Sequence, residues 1–371
     1  MNFTINRETL SQNLNIVSKA LSNKIQMPGL TGILFNVKKD KIILTASNNE
    51  ISIQNVIKSN FSVIEEGDFL IQGKFLIEII KKITSNEVDF SDFDGNVVKI
   101  IAGKSVFTLN CLQLESFPLI SFDESDIKFT LDSINLKQII RKTVFAISNN
   151  ESRVVLTGVS LKAKNNKIEV TATDSYRLAR KEIIFDYNFP EVNIVIPGKS
   201  FEELNKILED NQEIIEISCS SNKILFKIGE TLFQSRLIEG VFPKIDSLIP
   251  SKYLNTIVFN KEDLISVIER VSIFVTNELS NIIKLSINTN GLIEFASISN
   301  ELGAANEEIQ SISGEINSNM QIAFSSKYFL EAIRSFDSEN VEVNFTGEIK
   351  PFTLTSKKDI NLVQLILPVR A

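Results

Sequence analysis

Apolar and polar positions along this chain of 371 residues switch repeatedly between two periods. Runs such as INLVQLIL ahead of Pro368 alternate in the manner of a strand. They are rich in the Ile, Val, Phe and Thr that suit a pleated, half-buried surface. Elsewhere apolar residues return every three or four positions: Leu10, Leu14, Val17 and Leu21; Leu76, Ile79, Ile80 and Ile83; Leu136, Ile139, Ile140, Thr143, Val144 and Ile147. That spacing predicts amphipathic helices with one buried stripe each. Lys-Asp, Asn-Asn, Asp-Gly-Asn and Asn-Gly pairs mark turns between the runs.

The whole pattern occurs three times. FTINRETL (Phe3 to Leu10) returns as FTLDSINL from Phe129 and as IVFNKEDL from Ile257. LTGILFNVKKDKIILTAS from Leu30 aligns without a gap with LTGVSLKAKNNKIEVTAT from Leu156, and more weakly with IIKLSINTNGLIEFAS from Ile282. FLIQGKFLIEIIKKI from Phe69 matches IVIPGKSFEELNKIL from Ile194 and IAFSSKYFLEAIRSF from Ile322. Landmarks in a fixed order indicate internal triplication. Each copy reads as two βαβββ halves, an α+β unit with helices on one face of antiparallel sheet. The joins fall near 119–127 and 245–256, giving domains 1–121, 122–251 and 252–371.

Composition narrows the function. At 43% hydrophobic and 23% charged residues the chain is globular in type. The start MNFTINRETLSQNL lacks the form of a signal peptide, and no stretch approaches the apolar length of a membrane span, so no membrane role is expected. Two isolated cysteines, Cys111 and Cys219, exclude a disulfide framework and suit a reduced, cytoplasmic setting. A net charge of -7 argues against nucleic-acid binding by bulk charge. Any phosphate contact needs a local basic face. Such a face is suggested by Lys137, Arg141 and Lys142 opposite the stripe of the third helix, and by Lys74, Lys81 and Lys82 against Glu78 on the second.

No cofactor is expected. There is no histidine, the commonest general base and metal ligand. IQGKF and IPGKS lack the upstream glycine and spacing of a phosphate loop. A nuclease using carboxylates and magnesium, and a protein-binding scaffold that never meets DNA, remain as alternatives from other classes. One further stretch stands out: TDSYRLA, Thr173 to Ala179, interrupts an alternating run just where a strand should end. The first copy has SNNEISI at that place, so Tyr176 and Arg177 belong to the middle copy alone.

The triplication, the LTG and TDSYRLA of the middle copy and the chain end LILPVRA together resemble the bacterial DNA polymerase III beta subunit family, the sliding clamps. The resemblance covers essentially the whole chain. It implies three clamp-type domains that close as a head-to-tail homodimeric ring, helices inside and sheets outside, around double-stranded DNA held topologically. It also implies a clamp loader, the DNA polymerase III alpha subunit and other clamp-motif proteins as partners, and a non-catalytic processivity role.

Carried over position by position, the family's partner-peptide pocket is lined here by Leu156, Thr173, Ser175, Tyr176, Arg177, Leu178, Pro243, Leu248, Leu365, Leu367, Pro368, Val369 and Arg370. Arg177 is expected to offer a polar anchor. The family often has Gly and His where Ser175 and Tyr176 stand, and Met near Leu367 and Val369. DNA-facing positions implied by the resemblance and the basic helices are Lys24, Lys74, Lys81, Lys137, Arg141, Asn150, Arg153 and Lys199. Lys24 replaces an arginine, and Val154 and Val155 replace two tyrosines, which removes stacking groups from that loop. The ring seam is expected to bring Phe107 and Leu109 against Phe274 and Val275, with Lys74 and Lys104 facing Glu301, Glu307 and Glu308.

Overall fold

A computed structural model describes residues 1–22, 27–93, 96–275 and 281–369. Six α-helices occur among the described residues: α1 Arg7–Val17, α2 Gly73–Lys82, α3 Ser133–Thr143, α4 Gly198–Asn205, α5 Lys261–Val271 and α6 Ser326–Arg334. Each is entered directly from a strand and followed by antiparallel strands, so the strand–helix halves expected from the periodicity are present in every repeat. In the middle repeat two long strands, Gly158–Thr173 and Arg177–Pro197, occupy the place of five shorter ones in the first.

The recurring FTIN, FTLD and IVFN motifs have a local cause. Asn6 accepts from the Thr9 amide at 3.1 Å, Asp132 from the Asn135 amide at 2.8 Å, and Asn260 from the Glu262 and Asp263 amides at 3.0 and 3.1 Å. The fourth motif position is thus the N-cap of α1, α3 and α5, where a short polar side chain satisfies amides that the helix leaves unpaired.

The chain folds as two compact units, Met1–Leu136 with Glu202–Leu237, and Lys137–Phe201 with Ile238–Ala371. The middle repeat is shared between them. In the first unit a sheet of thirteen strands runs from Ile127–Asp132 at one edge to Phe61–Glu65 at the other. It is continuous because Thr231–Arg236 of the middle repeat pairs antiparallel with Ile51–Ile57 of the first, Phe233 opposite Ile53. Phe3 stacks on Phe90 with ring centres 4.8 Å apart, and Phe35 on Phe69 at 4.5 Å.

The second unit holds a sheet of seven strands and one of four. The larger begins with Gly158–Thr173 and Arg177–Pro197 and passes to Leu362–Ile366 of the last repeat. Residues Arg177 to Lys181 lie antiparallel to Leu362 to Ile366, with Leu178 opposite Leu365. The core includes Leu264 and Ile268 of α5, Phe329 and Ile333 of α6, and the rings of Phe324, Phe345 and Phe352.

One helix face differs from expectation. Lys142 does not belong to the solvated face of α3. It is 3% exposed and forms ion pairs with Asp359 and, at 2.8 Å, with Asp337. Asp359 also accepts from the amides of Asp337 and Ser338, at 3.1 Å each. A buried ammonium is tolerable only when so compensated, which the helical wheel alone does not reveal.

Candidate partner-binding site

The Thr173–Arg177 turn is built by its own side chains. Asp174 Oδ1 accepts from the amides of Tyr176 and Arg177, at 2.9 and 3.0 Å. The Thr173 hydroxyl donates to the Arg177 carbonyl at 2.6 Å and accepts from the Ser175 amide at 3.2 Å. This Asx-type closure drives Ser175 to a φ of 79°, in the left-handed region that favours glycine.

Arg177, expected to offer a polar anchor, is held inside the protein. It is 8% exposed. Its Nε–H donates to Asp174 Oδ2 at 3.0 Å, one Nη–H to the Phe145 carbonyl at 2.6 Å, and another to the Glu331 carboxylate of α6. The guanidinium carbon lies 4.4 Å from the ring centre of Tyr328 and 5.5 Å from that of Phe145. Burial pushes the Tyr328 hydroxyl pKa above its usual range, and the Asp174 charge adds to this while Arg177 opposes it. Asp174, Phe145, Tyr328 and Glu331 were absent from the sequence-derived wall. Only Asp174, three residues from Arg177, had a sequence signal.

Beside the turn is an apolar patch. Leu178, Ile245 and Leu365 form a buried cluster, with Phe242, Ile249 and Leu367 packed partly exposed around it. The chain end is tied down at two points: the Leu367 amide donates to the Tyr176 carbonyl at 2.9 Å, and the Val369 amide to the Ala323 carbonyl at 2.7 Å. Tyr176, Leu248 and Val369 remain exposed, Tyr176 at 63%, and Pro243 is exposed as well. Leu156 and Thr173 are buried, Pro368 is half-buried, and Arg370 lies outside the described residues. An aliphatic floor with an aromatic and aliphatic rim can accept apolar side chains of a short segment.

Of the expected DNA-facing residues, Lys74, Lys81, Arg141, Asn150, Arg153 and Lys199 are exposed, Lys137 is half-buried, and Lys24 lies outside the described residues. Asn150 is committed locally, its side chain accepting from the Ser152 amide at 2.9 Å. Val154 is exposed, while Val155 packs beside Gly240.

The expected seam residues divide. Phe107 and Leu109 are half-buried on Ser105–Leu112, whose residues 105–110 pair with Val97–Ala102 alone. Gly303–Glu308 is the outermost strand of the four-stranded sheet, and the Phe274 ring lies beside Gly303. Val275 is 1% exposed and part of the core. The exposed apolar neighbour is Ile273. Lys104, Glu301 and Glu308 are exposed, but Glu307 already holds Arg270 through two hydrogen bonds of 2.7 and 2.6 Å. Among the described residues no group of three or more Cys, Asp or Glu side chains gathers as a metal site, and no helix is long and apolar enough to cross a membrane.

Three family models match in tandem: the DNA polymerase III beta subunit N-terminal domain over residues 1–121, its central domain over 130–244 and its C-terminal domain over 246–370. The chain therefore belongs to the DNA polymerase III beta subunit family, with three clamp domains of mixed α/β structure. It is 38% identical to the beta sliding clamp of Staphylococcus epidermidis, over 100% of this chain and 99% of that one. Among solved structures it resembles the DNA polymerase sliding clamp of Bacillus subtilis, at 35% identity and a TM-score of 0.94, covering 100% and 99% of the two chains. The DNA polymerase III beta chain of Streptococcus pneumoniae gives 32% identity and a TM-score of 0.95 with both chains fully covered.

Proposed function

We propose that this chain is a DNA sliding clamp, a non-catalytic processivity subunit. Two copies close head to tail into a ring around duplex DNA and tether the replicative polymerase. The observation that carries this is the ordered run of three beta-subunit domains across residues 1–370. The domain limits we assign are 1–121, 122–251 and 252–371.

Ring closure uses the two strand edges. Residues 105–110 of one copy meet Gly303–Glu308 of the other, with Phe107 and Leu109 against Phe274 and Ile273. An edge strand is a template for pairing, and closing the ring removes it. Lys74, Lys104, Glu301 and Glu308 add orientation more than stability. DNA is held by topology, through Lys24, Lys74, Lys81, Lys137, Arg141, Arg153 and Lys199, so few phosphates are gripped and affinity for linear DNA is low with a shallow salt dependence.

The apolar patch beside the Thr173–Arg177 turn takes a short peptide of the polymerase alpha subunit, the clamp loader or other clamp-motif proteins. A patch of this size suits affinities of about micromolar, roughly -8 kcal/mol, strengthened by multivalency. The work belongs in the cytoplasm, where the chromosome is.

The decisive experiment is loading onto nicked circular DNA. Retention that is lost when the circle is linearised is expected. Equal retention on linear and circular DNA, without any loader, would sink the ring. For the pocket, Leu367→Ala is expected to abolish anisotropy of a labelled alpha-subunit peptide while leaving DNA retention intact.

A further inference from the structure

Arg177 is the pocket residue with the heaviest local commitments. Three of its N–H groups are used inside the protein, and Tyr328 and Phe145 cover its faces. One of those commitments reaches far along the sequence, to Glu331 on α6. Glu331 is partly exposed at the side chain, 31%, whereas the Arg177 side chain is 9% exposed.

We infer that Glu331 is a positioning residue of the partner site: it holds Arg177 as an internal strut, and through it fixes the lip on which a peptide rests. The connection runs through stated bonds. Glu331 and Asp174 fix the guanidinium from two sides. The Arg177 carbonyl is held by the Thr173 hydroxyl, which closes the turn. The carbonyl of Tyr176, within that turn, accepts from the Leu367 amide and so sets where the Leu367 side chain stands over the Leu178–Leu365 floor. A buried guanidinium with one carboxylate removed is left partly uncompensated and turns toward water. The turn then loosens, and the lip loosens with it. The inference rests on the pocket assignment of the proposed function.

Its test uses the full chain and a fluorescein-labelled synthetic peptide copied from the clamp-binding segment of the polymerase alpha subunit. Glu331→Gln keeps size and hydrogen-bonding capacity but removes the charge. It is expected to speed peptide dissociation about tenfold, with the melting temperature within about 2 °C of the parent. In a double-mutant cycle with Arg177→Lys, adding Glu331→Gln is expected to cause little further loss, because both act through one strut. Losses that multiply would show that Glu331 acts independently and would overturn the inference. So would unchanged dissociation in Glu331→Gln when Leu367→Ala still loses the peptide.

If Leu367→Ala keeps the peptide, the pocket assignment itself fails. The strut then stands or falls on nitrogen-15 NMR of the arginine side chains without peptide. Slow exchange of the Arg177 Nη–H protons that becomes fast in Glu331→Gln supports it, and equal protection in both proteins rejects it.

Discussion

At the scale of single residues, strain and buried charge mark the places where this chain departs from generic surface. Ser175 holds a left-handed backbone conformation with no glycine's freedom to do so. Ser175→Val is expected to cost about 1–2 kcal/mol, whereas Ser175→Gly is expected to be neutral or slightly stabilising; thermal melts of the two variants check this. Lys142 offers a larger effect. Lys142→Met leaves Asp359 buried with its cation gone, and a loss of about 3 kcal/mol or more is expected in urea unfolding. The same cluster gives a direction for pH. Burial alone would raise the Asp337 pKa, but its hydrogen bond to Lys142 and the neighbouring positive charges outweigh it and hold the group below the usual carboxylate range. A depressed folded pKa contributes stability that is present above the unfolded value and is lost as pH falls through the folded one. Asp337→Asn is therefore expected to flatten part of the acid side of the stability profile, and an unaltered profile would count against the ion pair.

At the scale of elements, the repeat is legible because the same local physics recurs. The apolar stripes of α1, α2 and α3 were visible in the sequence, and the structure adds that the recurring short polar residues Asn6, Asp132 and Asn260 cap α1, α3 and α5. Asn260→Ala is expected to destabilise the second unit by about 1 kcal/mol, measured as a shift in its unfolding midpoint. Helical spacing did not reveal where α3 stops. It ends at Thr143, and Val144–Ala146 continues as a tighter 3₁₀ turn. Nor did it reveal that Lys142 turns inward, because a helical wheel records which residues share a face and not which acids of another repeat await them.

At the scale of the whole molecule, the proposed assembly with a second copy draws on residues 105–110, which among the described residues pair on one side only, and on the outermost strand Gly303–Glu308. Sedimentation equilibrium is expected to give a dimer, and Leu109→Asp is expected to shift it toward monomer by placing an unpaired charge at the proposed seam. A monomer at every practical concentration in the unaltered protein would remove the ring. Beside the short 3₁₀ turn Ser272–Phe274, Ile273 is exposed while Val275 is buried in the core, so the proposed seam draws on Ile273.

The sequence by itself determined the triplication, the alternation of strand and helix, and the middle copy's specialised turn. All of these depend on residues close together in the chain, where periodicity and turn chemistry act. Only the tertiary structure decided that Arg177 is a buried strut held by Glu331, that Lys142 answers Asp359, and that the middle repeat lends strands to two different units. Those pairings join residues separated by 154 and 217 positions. Charge complementarity at such a distance leaves no periodic trace, because either partner alone reads as an ordinary solvated residue.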